Sequence, residues 1–122
     1  MAVGVRYIVR DVDTAIDFYR DQLGFEVKMH PAPGFAALAR GELVLYLNVP
    51  GAGSAGTAGG NPEPGGWNRF QLVVDGLDAL VADLRERGVP TRGDIASGPG
   101  GTQILVEDPS GNVVELFEPA AG

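Results

Sequence analysis

The sequence contains no cysteine, a single histidine and no apolar run longer than a β-strand. Without cysteine there can be no disulfide, no thiolate metal cluster and no cysteine nucleophile. The apolar runs fall far below the roughly 20 residues that a transmembrane helix requires. The N-terminal segment carries charges and has neither the apolar core nor the cleavage site of a signal peptide. We therefore expect a soluble, cytoplasmic protein that does not associate with a membrane.

Basic residues are scarce, with 9 Lys and Arg against 16 Asp and Glu, which gives a formal net charge of −7. This balance disfavours partners that are bound by neutralising phosphates, so we predict no nucleic-acid binding. The nucleophile elbow, the P-loop and the H-E-x-x-H zinc motif are also missing from the 122 residues. A chain of this length is typical of one domain.

A strand-to-helix pattern occurs twice, 65 residues apart. Residues 5–9 alternate as a strand does and precede a helical pattern over residues 11–24, while residues 70–74 precede a second helical pattern over residues 75–88. A glycine ends each pattern, and Asp13 and Asp78 are placed to favour the positive end of a helix dipole or to cap free amides. The apolar positions at helical spacing are Val12, Ala15, Ile16, Tyr19 and Leu23, then Leu77, Leu80, Val81 and Leu84.

Three short strand patterns follow each predicted helix, so each half of the chain is predicted to be βαβββ. The predicted strands cover residues 25–30, 35–40 and 42–48, then 89–96, 102–108 and 112–118. We divide the single predicted domain, residues 1–122, into module one (1–48), a Gly- and Pro-rich linker (49–66) and module two (67–119). The linker is compatible with a flexible tether or with a lid over a cavity.

Two segments at opposite ends of the chain carry a family signature. The residues from Val9 to Phe25 read VRDVDTAIDFYRDQLGF, and those from Asp108 to Pro119 read DPSGNVVELFEP. With the tandem βαβββ pattern, they resemble the vicinal oxygen chelate superfamily, which includes glyoxalase I, bleomycin-resistance proteins and dioxygenases. The resemblance implies an α+β fold with eight strands in a cupped mixed sheet, helices outside, a ligand site in the cup and a homodimer. It does not specify a reaction, because this scaffold serves unrelated chemistries.

The resemblance also implies four metal-ligand positions, at the first and last strands of each module. In this sequence they fall on Gly4, Arg69, a position near Leu45, and Glu115. A glycine, a permanent cation and an alkyl side chain cannot coordinate a divalent ion. We therefore predict no metal and no other cofactor. Glu115 then pairs with Arg69 or is simply a satisfied residue.

Strand alternation assigns side chains to two faces of the predicted sheet. One set is predicted to face the helices: Val5, Tyr7, Val9, Phe70, Leu72 and Val74. The other set is predicted to face the cavity: Gly4, Arg6, Ile8, Arg69, Gln71 and Val73. Arg6, Arg69 and Gln71, with Glu115, would make a donor-rich site for an anionic or carbonyl-bearing molecule. The alternative is that the arginines form internal ion pairs.

Two further side chains are candidates on weaker grounds. His30, at the end of a predicted strand, has the side-chain type for general acid–base catalysis, although a loop histidine without a catalytic role is the commoner case. Trp67 is a candidate for stacking on a flat ligand or, alternatively, for core packing.

Three functions are compatible with these observations. The first is a small-molecule-binding protein, similar to bleomycin-resistance proteins, with Arg6, Arg69, Gln71 and Trp67 as ligand-binding residues. The second is an enzyme, such as a glyoxalase-like lyase, an isomerase or a dioxygenase, that is metal-free with Glu115 and His30 as catalytic residues or uses unrecognised metal ligands. The third is a structural role in which side chains fill the cup.

Overall fold

The computed structural model describes residues 3–52 and 62–121, which fall into two compact units. Unit one comprises the residues up to Gly65 together with Pro109–Asn112, and unit two comprises Gly66–Asp108 and the residues from Val113 onward. Each unit contains one helix and one four-stranded mixed sheet. The predicted α+β class and the tandem βαβββ order are confirmed.

The elements of unit one are β1 (Val3–Ile8), α1 (Val12–Leu23), β2 (Glu26–Ala32), β3 (Phe35–Arg40) and β4 (Leu43–Asn48). Those of unit two are β5 (Arg69–Val73), α2 (Leu77–Glu86), β6 (Thr91–Gly98), β7 (Gly101–Glu107) and β8 (Val113–Pro119). The sheet orders are β1-β4-β3-β2 and β5-β8-β7-β6. In each sheet the first strand pairs in parallel with the last, and the other pairs are antiparallel.

The first helix begins and ends with residues of its own segment. Asp11 is the N-cap, and its side chain accepts a hydrogen bond from the Thr14 backbone N–H at 3.1 Å. Asp13 lies in the first turn, where its charge favours the helix dipole. Gly24 ends the helix with φ of 73°, a left-handed conformation that glycine adopts without strain. All five apolar positions that were predicted for this helix are buried.

The second helix is capped from another element. Its N-cap, Gly76, has no side chain to offer, and the Glu118 carboxylate of β8 accepts hydrogen bonds from the backbone N–H groups of Gly76 (2.9 Å) and Leu77 (3.0 Å). The amides of Leu77 and Gly76 hold the pKa of Glu118 below the usual 4.5. The cap of α2 therefore comes from a residue 41 positions after the start of the helix.

Burial along the first strand of each unit confirms the predicted faces. Tyr7 and Val9 are buried, as are Phe70 and Leu72, whereas Arg6 and its neighbours two residues away are more exposed. In β5 the pattern alternates at every residue. The face of each sheet that carries the predicted binding residues is therefore the one that does not form the core of its unit.

The turn between β7 and β8 belongs to unit one. Ser110 is hydrogen-bonded through its Oγ to the Arg10 N–H (2.9 Å) and through its carbonyl to Arg10 Nη1 (3.2 Å). The Asn112 side chain donates to the Ile8 carbonyl and accepts from the Gly65 N–H, both at 2.8 Å. This turn, which joins the antiparallel strands β7 and β8, also fixes the junction between β1 and α1.

The predicted linker is described only in part, because residues 53–61 lie outside the described residues. At its start, the Val49 N–H donates to the Gly34 carbonyl at 3.0 Å. The choice between tether and lid therefore stays open. Of the helices in the described ranges, none is both long and apolar enough to cross a membrane.

Candidate functional site

Glu115, on β8, lies at the centre of a hydrogen-bonded cluster in unit two. Its side chain is 12% exposed. Arg69 Nε donates to Oε1 at 3.1 Å, and Gln71 Nε2 donates to Oε2 at 2.6 Å. When the Gln103 amide is oriented with its nitrogen toward the carboxylate, that nitrogen lies 3.2 and 2.9 Å from the two oxygens. Both carboxylate oxygens are therefore engaged by side-chain donors.

Strand register explains why these four side chains meet. Gln71 is the parallel partner of Glu115, and Arg69 lies two residues earlier on the same face of β5. On the other side of β8, Leu105 is the partner of Glu115, which places Gln103 on the same face two residues away. The predicted ion pair between Arg69 and Glu115 is present in the structure.

A pocket of 210 Å³ adjoins the Glu115 cluster within unit two. Gln71, Gln103 and Glu115 form its polar side, and Phe117 supplies an aromatic wall. The rest of the lining comes from the ends of β6 and β7 and their connection: Ala96, Ser97, Gly98, Gly100 and Gly101. Typical pockets for drug-sized ligands hold roughly 300–1,000 Å³, so this one fits a small molecule or one portion of a larger one.

In unit one, the position equivalent to Glu115 is Tyr46, the neighbour of Leu45, so the predicted position near Leu45 is one residue further along β4. Tyr46 is the parallel partner of Arg6, just as Glu115 is the partner of Gln71. Leu45 is fully buried on the core face. Because strand side chains alternate, an error of one residue moves a side chain to the opposite face.

Flat groups surround Tyr46. Its ring centroid lies 6.2 Å from that of Phe35, with the two planes 15° apart, and the Arg6 guanidinium carbon is 5.1 Å from the Tyr46 centroid. A Cβ added to Gly4 would lie 3.1 Å from Cε2 of Tyr46. Arg6 also donates from Nη1 to Oδ1 of Asn48, which is fully buried. The predicted binding residue Arg6 is thus held on this face of unit one.

His30 and Trp67 lie outside both of these clusters. His30 Nε2 is 3.7 Å from Asp13 Oδ1 on α1, and the imidazole is 30% exposed. Trp67 is 66% exposed, so the core-packing alternative is wrong. The guanidinium carbon of Arg92 lies 4.4 Å from the centroid of the Trp67 ring. The roles predicted for His30 and Trp67 stay predictions.

The four positions do not suit a divalent metal ion. They hold Gly4, Tyr46, Arg69 and Glu115, and the only carboxylate among them already accepts hydrogen bonds from an arginine and two amides. Divalent ions in proteins take several carboxylate, imidazole or thiolate donors. Within residues 3–52 and 62–121, no group of three or more His, Asp or Glu side chains could hold a metal ion.

The match to a protein family covers most of the chain. Residues 3–116 match the family model described as the Glyoxalase/Bleomycin resistance protein/Dioxygenase superfamily. The chain belongs to this superfamily. The predicted resemblance is therefore confirmed. No curated protein matches the sequence.

Solved structures of superfamily members have the same fold. A superfamily member from Sphaerobacter thermophilus is 27% identical with a TM-score of 0.79, and the match covers 97% of this chain and 96% of that one. TnmS3, an antibiotic binding protein from Streptomyces, is 28% identical with a TM-score of 0.75 over 98% and 96% of the two chains. A lactoylglutathione lyase from Agrobacterium tumefaciens is 22% identical with a TM-score of 0.76 over 97% and 92%, which is evidence for the fold alone.

Sequence reasoning missed two residues of these clusters. Gln103 completes the set of donors around Glu115, and Asn48 holds Arg6. The alternation of β7 carried a signal for Gln103, because it places that side chain on the same face as Leu105, the partner of Glu115. No comparable local pattern identified Asn48, whose contact with Arg6 depends on the pairing of β1 with β4.

Proposed function

We propose that this protein binds a small molecule, anionic or carbonyl-bearing, without a metal ion. The observation that carries the proposal is the Glu115 cluster, in which Arg69, Gln71 and Gln103 engage both carboxylate oxygens. A carboxylate that is neutralised and hydrogen-bonded in this way is suited to be part of a preorganised polar wall of a binding site. It is less suited to coordinate a metal ion.

The pocket beside this cluster supports the same proposal. Its 210 Å³ combine amide and hydroxyl groups with the ring of Phe117, the mixture of a few polar groups and apolar surface that small-molecule sites use. Separately, within unit one, the guanidinium of Arg6 is a donor suited to carboxylates and carbonyls. The relative TnmS3, described as an antibiotic binding protein, is a further argument for binding over catalysis.

The test is to purify the protein without chelator and to measure its metal content by elemental analysis. We expect far less than one metal ion per chain, and ligand-induced melting shifts in a small-molecule screen that are unchanged by EDTA. Methylglyoxal with glutathione, assayed with and without zinc, nickel or manganese, should show no turnover above background. A stoichiometric metal, or turnover that chelation abolishes, would contradict the proposal.

A metal-free enzyme is the second candidate, favoured by one observation. His30 lies within 3.7 Å of Asp13, and a carboxylate of this kind orients an imidazole in many acid–base sites. Any turnover found in a substrate screen should then decrease in both His30→Ala and Glu115→Gln, while Lys28→Ala, an exposed change on the same strand as His30, should leave it unchanged. Turnover that survives His30→Ala would remove that residue from the catalytic role.

The homodimer that the family resemblance implies is also a proposal. Light scattering coupled to size-exclusion chromatography should give a mass near twice that of the 12.7 kDa chain. A monomer at micromolar concentration would contradict it.

A further inference from the structure

We propose that Tyr46, Phe35 and Arg6 form a recognition surface for a planar aromatic molecule that carries a carboxylate or a carbonyl group. This inference rests on the proposed binding function and names the class of ligand. We call these three residues the aromatic platform. All three belong to unit one and lie on the sheet face opposite its core.

The first argument is that the planar groups of the platform already stack on one another. The rings of Phe35 and Tyr46 are within 15° of parallel, and the guanidinium of Arg6, itself planar, lies 5.1 Å from the Tyr46 centroid. Each side chain is at least partly exposed. Aromatic rings and guanidinium planes both stack on planar ligands, and the platform provides three such groups next to one another.

The second argument is the room that small residues leave for Tyr46. Its partner on β3 is Ala37, and on the other side the space above Gly4 receives the edge of the ring, with Cε2 only 3.1 Å from where a Cβ would stand. A larger residue at position 4 would push the ring away. Gly4, which cannot serve as a metal ligand, thus leaves room for the ring of Tyr46, which lies at another of the four predicted ligand positions.

The third argument is the fixed position of Arg6. Asn48 is fully buried, accepts a hydrogen bond from Arg6 Nη1 and donates from Nδ2 to the Ala52 carbonyl at 3.4 Å. An arginine held by a buried amide loses less conformational freedom when it binds a ligand. Its remaining N–H groups match the paired oxygens of a carboxylate or the oxygen of an aromatic ketone.

The test compares two acids of the same shape class and charge, 2-naphthoate and decahydro-2-naphthoate, with protein that has been treated with EDTA. Dissociation constants come from saturation-transfer NMR titrations, and the fold of each variant is checked by its amide spectrum. We expect 2-naphthoate to bind at least about fivefold more tightly, the factor that roughly 1 kcal/mol of stacking provides. Equal binding of the two acids, or no binding of 2-naphthoate, would overturn the aromatic platform.

Two variants then identify the residues. Tyr46→Leu should weaken 2-naphthoate binding about fivefold while leaving decahydro-2-naphthoate unchanged, whereas Arg6→Met should weaken both acids. Arg85→Met, which removes an exposed arginine from α2, is the matched control and should change neither. An unaltered preference for 2-naphthoate in Tyr46→Leu would overturn the platform even if binding persists. Binding that requires a metal ion would instead contradict the proposed function and leave the role of Tyr46 standing.

Discussion

The two units place different chemistry at the same pair of positions. In unit two, the pair Gln71 and Glu115 belongs to a network of charge and hydrogen bonds around a mostly buried carboxylate, whereas in unit one the equivalent pair is Arg6 and Tyr46, a cation beside an aromatic ring. The strand register is the same in both. The comparison shows that the βαβββ frame fixes where side chains meet and leaves their chemistry free.

The largest expected difference in stability between the units comes from placing leucine at the two equivalent positions, 115 and 46. Glu115→Leu leaves Arg69 and two amides without their acceptor, so we expect a loss of about 2–3 kcal/mol in the free energy of unfolding. Tyr46→Leu removes part of an exposed ring stack and should cost less than about 1 kcal/mol. Urea unfolding monitored by circular dichroism measures both, and equal losses would contradict the difference between the units.

Replacing Arg69 and Arg6 tests the same comparison through smaller losses in the free energy of unfolding. Arg69→Met should lower the free energy of unfolding by about 1–2 kcal/mol, because Glu115 is mostly buried and keeps only its amide donors. Arg6→Met should cost about 1 kcal/mol, because the buried Oδ1 of Asn48 loses its Arg6 donor but no buried charge is left without its ion-pair partner. The double variant that combines Arg69→Met with Glu115→Leu should lose less free energy of unfolding than the sum of the two single losses. A loss equal to that sum would argue against a direct pair.

The smallest expected effect concerns the cap of α2 by Glu118, and its size should depend on pH. The folded-state pKa of Glu118 is lower than in the unfolded chain, so its stabilising contribution is present above the ordinary glutamate pKa of 4.5 and is lost as the pH falls through the lower folded-state pKa. Glu118→Gln should therefore reduce the melting temperature at pH 7 and progressively less toward pH 3. The control is Glu86→Gln, at an exposed position at the end of α2. Its melting temperature should not approach that of the wild type as the pH falls. A deficit for Glu118→Gln that is the same at every pH would contradict this role.

Much of the fold could be predicted because it depends on local patterns. The helical spacing of Val12 and Tyr19, the glycine at position 24 and the alternation of residues 69–73 are each readable within a few residues, and each matches the structure. The core face of β1 and β5 followed from the same alternation.

The site could be predicted only where it repeats those patterns. Arg69 and Glu115 were paired correctly because both positions follow from the family signature and the strand period. The position near Leu45 could not be assigned to Tyr46 from the sequence, because it depends on the register between β1 and β4, which no local pattern fixes to one residue. Glu118 as the cap of α2 was missed for a related reason, because sequence capping rules look for a partner within the same segment.

The attachment of residues 109–112 to unit one has a consequence for the order in which the chain matures. Arg10 and the Ile8 carbonyl receive their partners Ser110 and Asn112, which are 100 and 104 residues later in the chain, only after that intervening segment has been synthesised. The unit that is synthesised first is thus completed only after most of unit two has been made. A truncated chain that stops before residue 109 should leave the junction of β1 and α1 open, however well the first helix has already formed.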